Sequence, residues 1–170
     1  MTNNLFLTKI EQEHYKEKNK LFLSNSCIAH EINIKDLGEF NVIPFHWNDK
    51  DKLNQDHKYL YNFYYKILDS FKNDLNQMHG LNQNTRYWHI IIGTWLYKFL
   101  INSFDKWESV KLAFREHKIS KIYNYSTVYN QLISSDCSEF NYISNSNLWF
   151  NFLISEIIKF QVKKDINHMG

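Results

Sequence analysis

The sequence predicts an α/β fold, with a small, mostly parallel sheet of three to four strands flanked by long helices. Three observations carry this reading. Short apolar runs rich in strand formers alternate with longer segments of helical period, the pattern of layered α/β architectures. Each short run is bounded by polar or turn-forming residues, as strands are. Glycine (4) and proline (1) are scarce, which disfavours a turn-rich β sandwich and favours long, unbroken helices.

The expected elements follow in order. Leu5–Thr8 (LFLT) reads as a first strand, Lys20–Ile28 (KLFLSNSCI) as a second and Glu39–Trp47 (EFNVIPFHW) as a third. Between the second and third, Ala29–Leu37 has room for a short helix or crossover, with Gly38 as its terminator. Asn48 or Asp49 then caps a long helix, because a short polar side chain there accepts orphan backbone N–H groups. Its apolar positions are Leu53, Leu60, Tyr64, Ile67, Leu68, Phe71, Leu75 and Met78, and Gly80 stops it.

A second helix starts near Asn84 or Thr85 and runs through "RYWHIIIGTWL" to about Ser103, with Phe104–Glu116 as its continuation. It is apolar almost all round, so it is expected to be buried on most sides. Gly93 inside it costs up to about 1 kcal/mol against alanine, which a closely packed neighbour or a ligand would explain. Lys121–Ser126 is a candidate strand, and Ser135 and Asp136 are possible caps. Asn147–Val162 forms the last helix, with Leu148, Phe152, Ile154, Ile158 and Val162 as apolar positions.

Composition bounds the function. Twenty basic and eighteen acidic residues leave a formal charge of +2, too balanced to predict nucleic-acid binding. The two cysteines, Cys27 and Cys137, form no CxxC pair, so reduced thiols in a reducing compartment are expected. The N-terminus lacks a secretory apolar segment. The longest apolar run, Ile90–Ile101, is broken by Lys98 and falls short of the roughly 18 residues that span a bilayer. The expected localisation is therefore cytoplasmic, with no transmembrane segment.

No P-loop, GxGxxG, HExxH or GxSxG motif occurs, and no histidine belongs to an HxH or HxxxH pair. Cys27 and His30 are the only close Cys/His pair, so no metal is expected and no cofactor is called for. Strand ends carry more weight, because ligands of open α/β sheets sit beyond the carboxyl ends of strands. Ser24, Asn25 and Ser26 follow the second strand. His46 follows the third and suits acid–base work or phosphate donation. Beside it, Trp47 reads as a loop anchor and Asp49 as a helix cap.

Arg86 lies in the first turn of its helix, where a positive side chain opposes the helix dipole. It needs a partner, either an internal carboxylate or a bound anion such as a sugar-nucleotide phosphate. His89, at i+3, can face the same way. Trp88 and Trp95 read as core or interface residues, and Gly93 as a packing position. No residue is singled out as catalytic.

"PFHWNDKDKLNQDHKYLY" followed by "LNQMHGLNQNTRYWHIIIGTWL" resembles the bacterial O-antigen-associated transferases. Their pattern is Pro-Tyr-Pro-Trp-x-Asp, a helix, His-Gly, then Arg-Tyr-Trp-Arg-Ile-Ile-Ile-Gly-Pro-Trp-Leu. Pro44, Trp47 and Asp49 match the first block. His79, Gly80, Arg86, Tyr87, Trp88, Ile90–Ile92, Gly93, Trp95 and Leu96 match the second. His89 stands where the pattern has arginine and Thr94 where it has proline.

The resemblance covers nearly the whole chain. It implies glycosyl transfer to a surface polysaccharide from a nucleotide-activated sugar, with donor and saccharide acceptor as partners. It also implies a Rossmann-like half of a two-domain glycosyltransferase. Residues 1–170 would be a single α/β domain, the N-terminal, acceptor-side portion of a longer protein whose donor-binding half lies downstream. The alternative is a non-catalytic binding or scaffold domain that packs on a C-terminal half or a partner chain.

Overall fold

Leucine and phenylalanine dominate the first two strands, and their positions in the computed structural model show why. Residues 2–9, 11–28, 32–124 and 132–168 are described, with side chains through residue 161. Ala29, His30, Ser126 and the Val162 side chain lie outside the described residues. Strands β1 (Asn3–Phe6), β2 (Lys20–Phe22), β3 (Phe40–Val42) and β4 (Ile119–Tyr123) form one sheet of order β3-β2-β1-β4, every pair parallel. That order equals the first four positions of the doubly wound arrangement. The expected α/β class with a small parallel sheet is the observed one.

Strands of such a sheet are covered on both faces and so read as continuous apolar runs. Leu5, Phe6, Leu7, Leu21, Phe22 and Leu23 are accordingly all buried. Phe6 stacks on Tyr123 of β4 with centroids 4.4 Å apart and meets Phe22 of β2 at 5.5 Å. Full burial of each such side chain contributes roughly 1.5–3 kcal/mol.

The chain divides into two compact units, residues 1–45 with 106–170, and residues 46–105. The first holds the sheet and α1 (Ile34–Leu37), α4 (Cys137–Ile143) and α5 (Asn147–His168). Val110, Ala113, Ile154 and Ile158 join the strand residues in its core. The second holds α2 (Lys50–His79) and most of α3 (Thr85–Glu116), whose residues from Lys106 onward belong to the first unit.

Caps fix the helix ends. Asp49 accepts from the N–H groups of Asp51 and Lys52, and Gly80 closes α2 in the left-handed region at φ 62°. Asn84 accepts from Tyr87 N–H at the start of α3, and Asp136 accepts from Glu139 N–H at the start of α4.

The expectation that α3 is buried on most sides is corrected. Ile90 is 71% and Ile91 58% exposed. In its own unit α3 meets α2 along one stripe, Trp88, Ile92 and Leu96, packed with Tyr64 and Leu68. Successive residues turn by about 100°, so neighbouring isoleucines cannot share that stripe. On α2, likewise, Leu60, Tyr64 and Leu68 are buried, whereas Leu53, Phe71 and Met78 are exposed.

The strands are also shorter than the apolar runs. Asn25–Cys27 and His46–Asn48 curl into single 3-10 turns, the second shortly after Pro44, which lacks a ladder donor. Among the described residues, no helix is long and apolar enough to cross a membrane.

Candidate functional site

At the carboxyl edge of the sheet, β1 runs on into Leu7 and Thr8, and β2 into Leu23 and Ser24. Leu23 N–H still donates to Phe6 carbonyl at 3.1 Å, so the strands stay together past their last paired residues. A narrow cleft of about 20 Å³ opens there, lined by Thr8, Ser24, Ser26, Lys106 and Asn147 among others. It has room for about one water-sized group. Next to it lies a broader cavity of about 470 Å³, which shares Thr8 and Asn147 and adds Lys9, Glu11 and Asn151.

The polar groups of this edge are held from several elements. Ser24 Oγ lies 2.6 Å from Ser26 Oγ and 3.7 Å from Cys27 Sγ. The Cys27 thiol in turn donates to Phe6 carbonyl at 3.6 Å. Burial pushes that thiol's pKa up, so it stays protonated and acts as a packing group rather than a nucleophile. Lys106 of α3 lies over the Phe150 ring at 4.7 Å.

Asn147 is the first residue of α5, and Ser146 Oγ accepts from Trp149 N–H at 3.1 Å. The first N–H groups of a helix have no intrahelical partner and favour negative charge. Thr8 is only 6% exposed, yet its Oγ1 finds no hydrogen-bond partner among the described residues. A buried hydroxyl left unsatisfied costs about 1–3 kcal/mol. Thr8 lines both cavities, so this hydroxyl is available to a group that enters there.

Residues 3–169 match the family described as LIC12162 family transferase. The chain belongs to that family. No curated protein and no solved structure matches it. For a transferase of this family, the sheet edge is the candidate binding site, because parallel sheets receive ligands beyond their carboxyl ends.

Ser24 and Ser26, predicted from sequence, line the cleft of this LIC12162 family transferase. Asn25 is exposed and is not among the residues lining it. His46, Arg86 and His89 belong to the other unit. His46, with a side chain 4% exposed, bonds Asp105 Oδ1 through Nε2 at 3.0 Å. Trp47 beside it donates to Asp56 Oδ2 at 2.9 Å and stacks on Phe104.

Arg86 is exposed and makes no ion pair among the described residues. His89, at the arginine position of the resembling pattern, bonds Tyr64 OH through Nδ1 at 2.7 Å. Gly93 is explained by that pair, since a Cβ there would sit 2.6 Å from Tyr64 OH and 3.2 Å from His89 Nδ1. Trp88 is buried and donates to Asn76 Oδ1 at 3.0 Å, and Trp95 stacks on Phe99. Among the described residues, no cluster of three or more His, Cys, Asp or Glu side chains is placed to hold a metal.

Sequence reasoning missed Thr8, Lys106, Asn147 and Asn151. For Thr8 a signal existed. Leu5-Phe6-Leu7-Thr8 and Leu21-Phe22-Leu23-Ser24 are the same tetrapeptide with interchangeable hydroxyls. The others come from α3 and α5, which only the fold brings to the strand ends.

Proposed function

We propose that this transferase moves a glycosyl group from a nucleotide-activated sugar to a saccharide acceptor in O-antigen or surface-polysaccharide biosynthesis. In this reading the donor diphosphate sits in the broader cavity of about 470 Å³ at the carboxyl edge of the sheet, which shares Thr8 and Asn147 with the narrow cleft. The buried, unpartnered hydroxyl of Thr8 is the observation that carries it. Phosphate oxygens accept hydrogen bonds, and Thr8, Ser24 and Ser26 supply hydroxyl donors side by side. The α5 N-terminus and the Lys106 charge favour an anion in the same place. The resemblance implies a donor-binding half downstream, and this reading departs from it by placing the donor phosphates at the strand ends described here.

Calorimetric titration with UDP, GDP and dTDP tests the reading. Saturable, salt-sensitive binding of at least one is expected, weakened about tenfold in Thr8→Val, the loss of one good hydrogen bond to a charged group. Absence of binding by all three, or binding that ignores the substitution, refutes it.

A second reading has its own support. Tyr87, Ile90 and Ile91 are exposed together near the start of α3, and contiguous exposed apolar surface marks interaction sites. A non-catalytic domain that packs on a further half or a partner chain would present such a surface.

A further inference from the structure

The largest cavity among those described lies wholly within the unit of residues 46–105. It encloses about 600 Å³ between α2 and α3, inside the roughly 300–1,000 Å³ range of small-molecule sites. Its walls are chemically distinctive. Four tyrosines and two histidines line it, and Ile101 is the one aliphatic residue among them. Every aromatic face in it ends in a polar tip.

Tyr61 and Tyr65 are 50% and 41% exposed, so their rings can be reached from solvent. Tyr65 stacks nearly parallel on His89, 14° between planes with centroids 6.1 Å apart, so each ring holds the other in place. Behind them Tyr64 is buried, and its hydroxyl holds His89 Nδ1. Gly93 supplies the space for that bond. The ring wall is thus fixed before any ligand arrives, which limits the ordering cost of binding. Whichever partner donates in the Tyr64–His89 bond, the exposed His89 keeps Nε2 as a second donor or acceptor. Asn102 and Thr94 add amide and hydroxyl groups, and no carboxylate lines the cavity among the described residues.

An alkyl chain would be served best by aliphatic walls, and Ile101 is the one aliphatic residue here. A pyranose matches what is present. Its axial C–H face packs on an aromatic ring, and its rim of hydroxyls, each both donor and acceptor, meets the tyrosine, histidine, amide and threonine tips. We infer that the groove between α2 and α3 is a pyranose-binding site, with Tyr61 and Tyr65 as stacking platforms and His89 as a hydroxyl partner. It rests on other residues than the nucleotide site, so the two readings fail separately.

The test uses maltotriose, triacetylchitotriose and a galactose trisaccharide, followed by saturation-transfer NMR and calorimetry on the whole chain. At least one is expected to bind with millimolar affinity. Tyr65→Ala is expected to weaken it about tenfold with little change in melting temperature, because the ring is exposed. Tyr65→Phe keeps the stacking face and is expected to retain most of the affinity. Thr8→Val leaves sugar binding unchanged. No binding of any trisaccharide at about 20 mM, unaltered binding in both Tyr61→Ala and Tyr65→Ala, or preference for decanoate over all three sugars overturns the inference.

Discussion

Thr8 and Ser24 occupy matching positions on neighbouring parallel strands. The register pairs Leu5 with Leu21 and Phe6 with Phe22, and each hydroxyl follows two residues later. Both line the same cleft, yet their surroundings differ. Ser24 Oγ is paired with Ser26, whereas Thr8 Oγ1 has no partner among the described residues. A buried hydroxyl unsatisfied within the fold calls for an explanation, and the one proposed for Thr8 is a ligand contact. The following outcomes separate such groups from those that only hold the structure together.

Thr8→Val replaces the hydroxyl with a methyl of similar shape. No internal hydrogen bond is lost, and an unsatisfied polar group is removed. Urea denaturation should show stability unchanged or raised by up to about 1 kcal/mol, while nucleotide affinity falls. Phe6→Ala next to it is expected to cost about 3–5 kcal/mol, because it empties the centre of the sheet. A position where function and stability move in opposite directions marks a ligand contact.

Gly93→Ala places a methyl 2.6 Å from Tyr64 OH. Helix propensity alone would favour alanine by about 1 kcal/mol. The clash and the lost Tyr64–His89 bond outweigh that gain, so net destabilisation of about 1–2 kcal/mol is expected by thermal unfolding. Adding Tyr64→Phe removes the oxygen that the methyl meets. The double variant should therefore recover stability relative to Gly93→Ala, a coupling that a double-mutant cycle reads directly.

His46 was legible in the sequence as a strand-end histidine, and the fold gives it a carboxylate. With side chains 4% and 17% exposed, His46 and Asp105 are a shielded pair. His46→Ala is expected to cost about 2–4 kcal/mol by removing one partner of a buried polar pair. Nucleotide affinity should stay at the wild-type value. A fall in affinity without loss of stability would instead give His46 a role in binding.

What the sequence made legible was what local chemistry decides. Asp49, Gly80, Asn84 and Asp136 announce helix ends because a cap needs only its own next few residues. The apolar runs announced a parallel sheet because both faces of each strand are covered. Strand lengths were not legible, since the point where pairing stops depends on the neighbouring strand. The Tyr64–His89 bond, the His46–Asp105 pair and the cleft shared by Thr8 and Asn147 join residues far apart in sequence. Only the packed chain specifies them. Gly93 shows the boundary well, as its cost was visible locally while the hydroxyl that demands it came from another helix.

Asp69 gives the fold a pH dependence at the start of α3. Its carboxylate accepts from Lys72 Nζ and from Thr85 Oγ1, both at 2.9 Å, and these bonds hold its pKa below the ordinary carboxylate value. A depressed folded pKa means stabilisation that is present above about pH 4 and is lost as pH falls through the lower folded value. Chemical denaturation of the wild type and Asp69→Asn at pH 7 and pH 3 should show the variant less stable at pH 7. The difference should shrink at pH 3, where the wild-type carboxyl also takes up a proton.

Arg86 offers the sharpest contrast between charge and structure. It is exposed in the first turn of α3 and joins no ion pair among the described residues, while the helix dipole disfavours a cation there. Arg86→Ala should therefore leave stability within about 0.5 kcal/mol of wild type, or raise it slightly. If the guanidinium meets a substrate anion, transfer activity falls far more than stability does, and Arg86→Lys restores only part of it because the bidentate fork is gone. Parallel losses of activity and stability in Arg86→Ala would assign the residue to the fold. Unchanged activity in both variants would leave Arg86 without a role in transfer. Measured together, transfer rate and unfolding free energy decide among these outcomes.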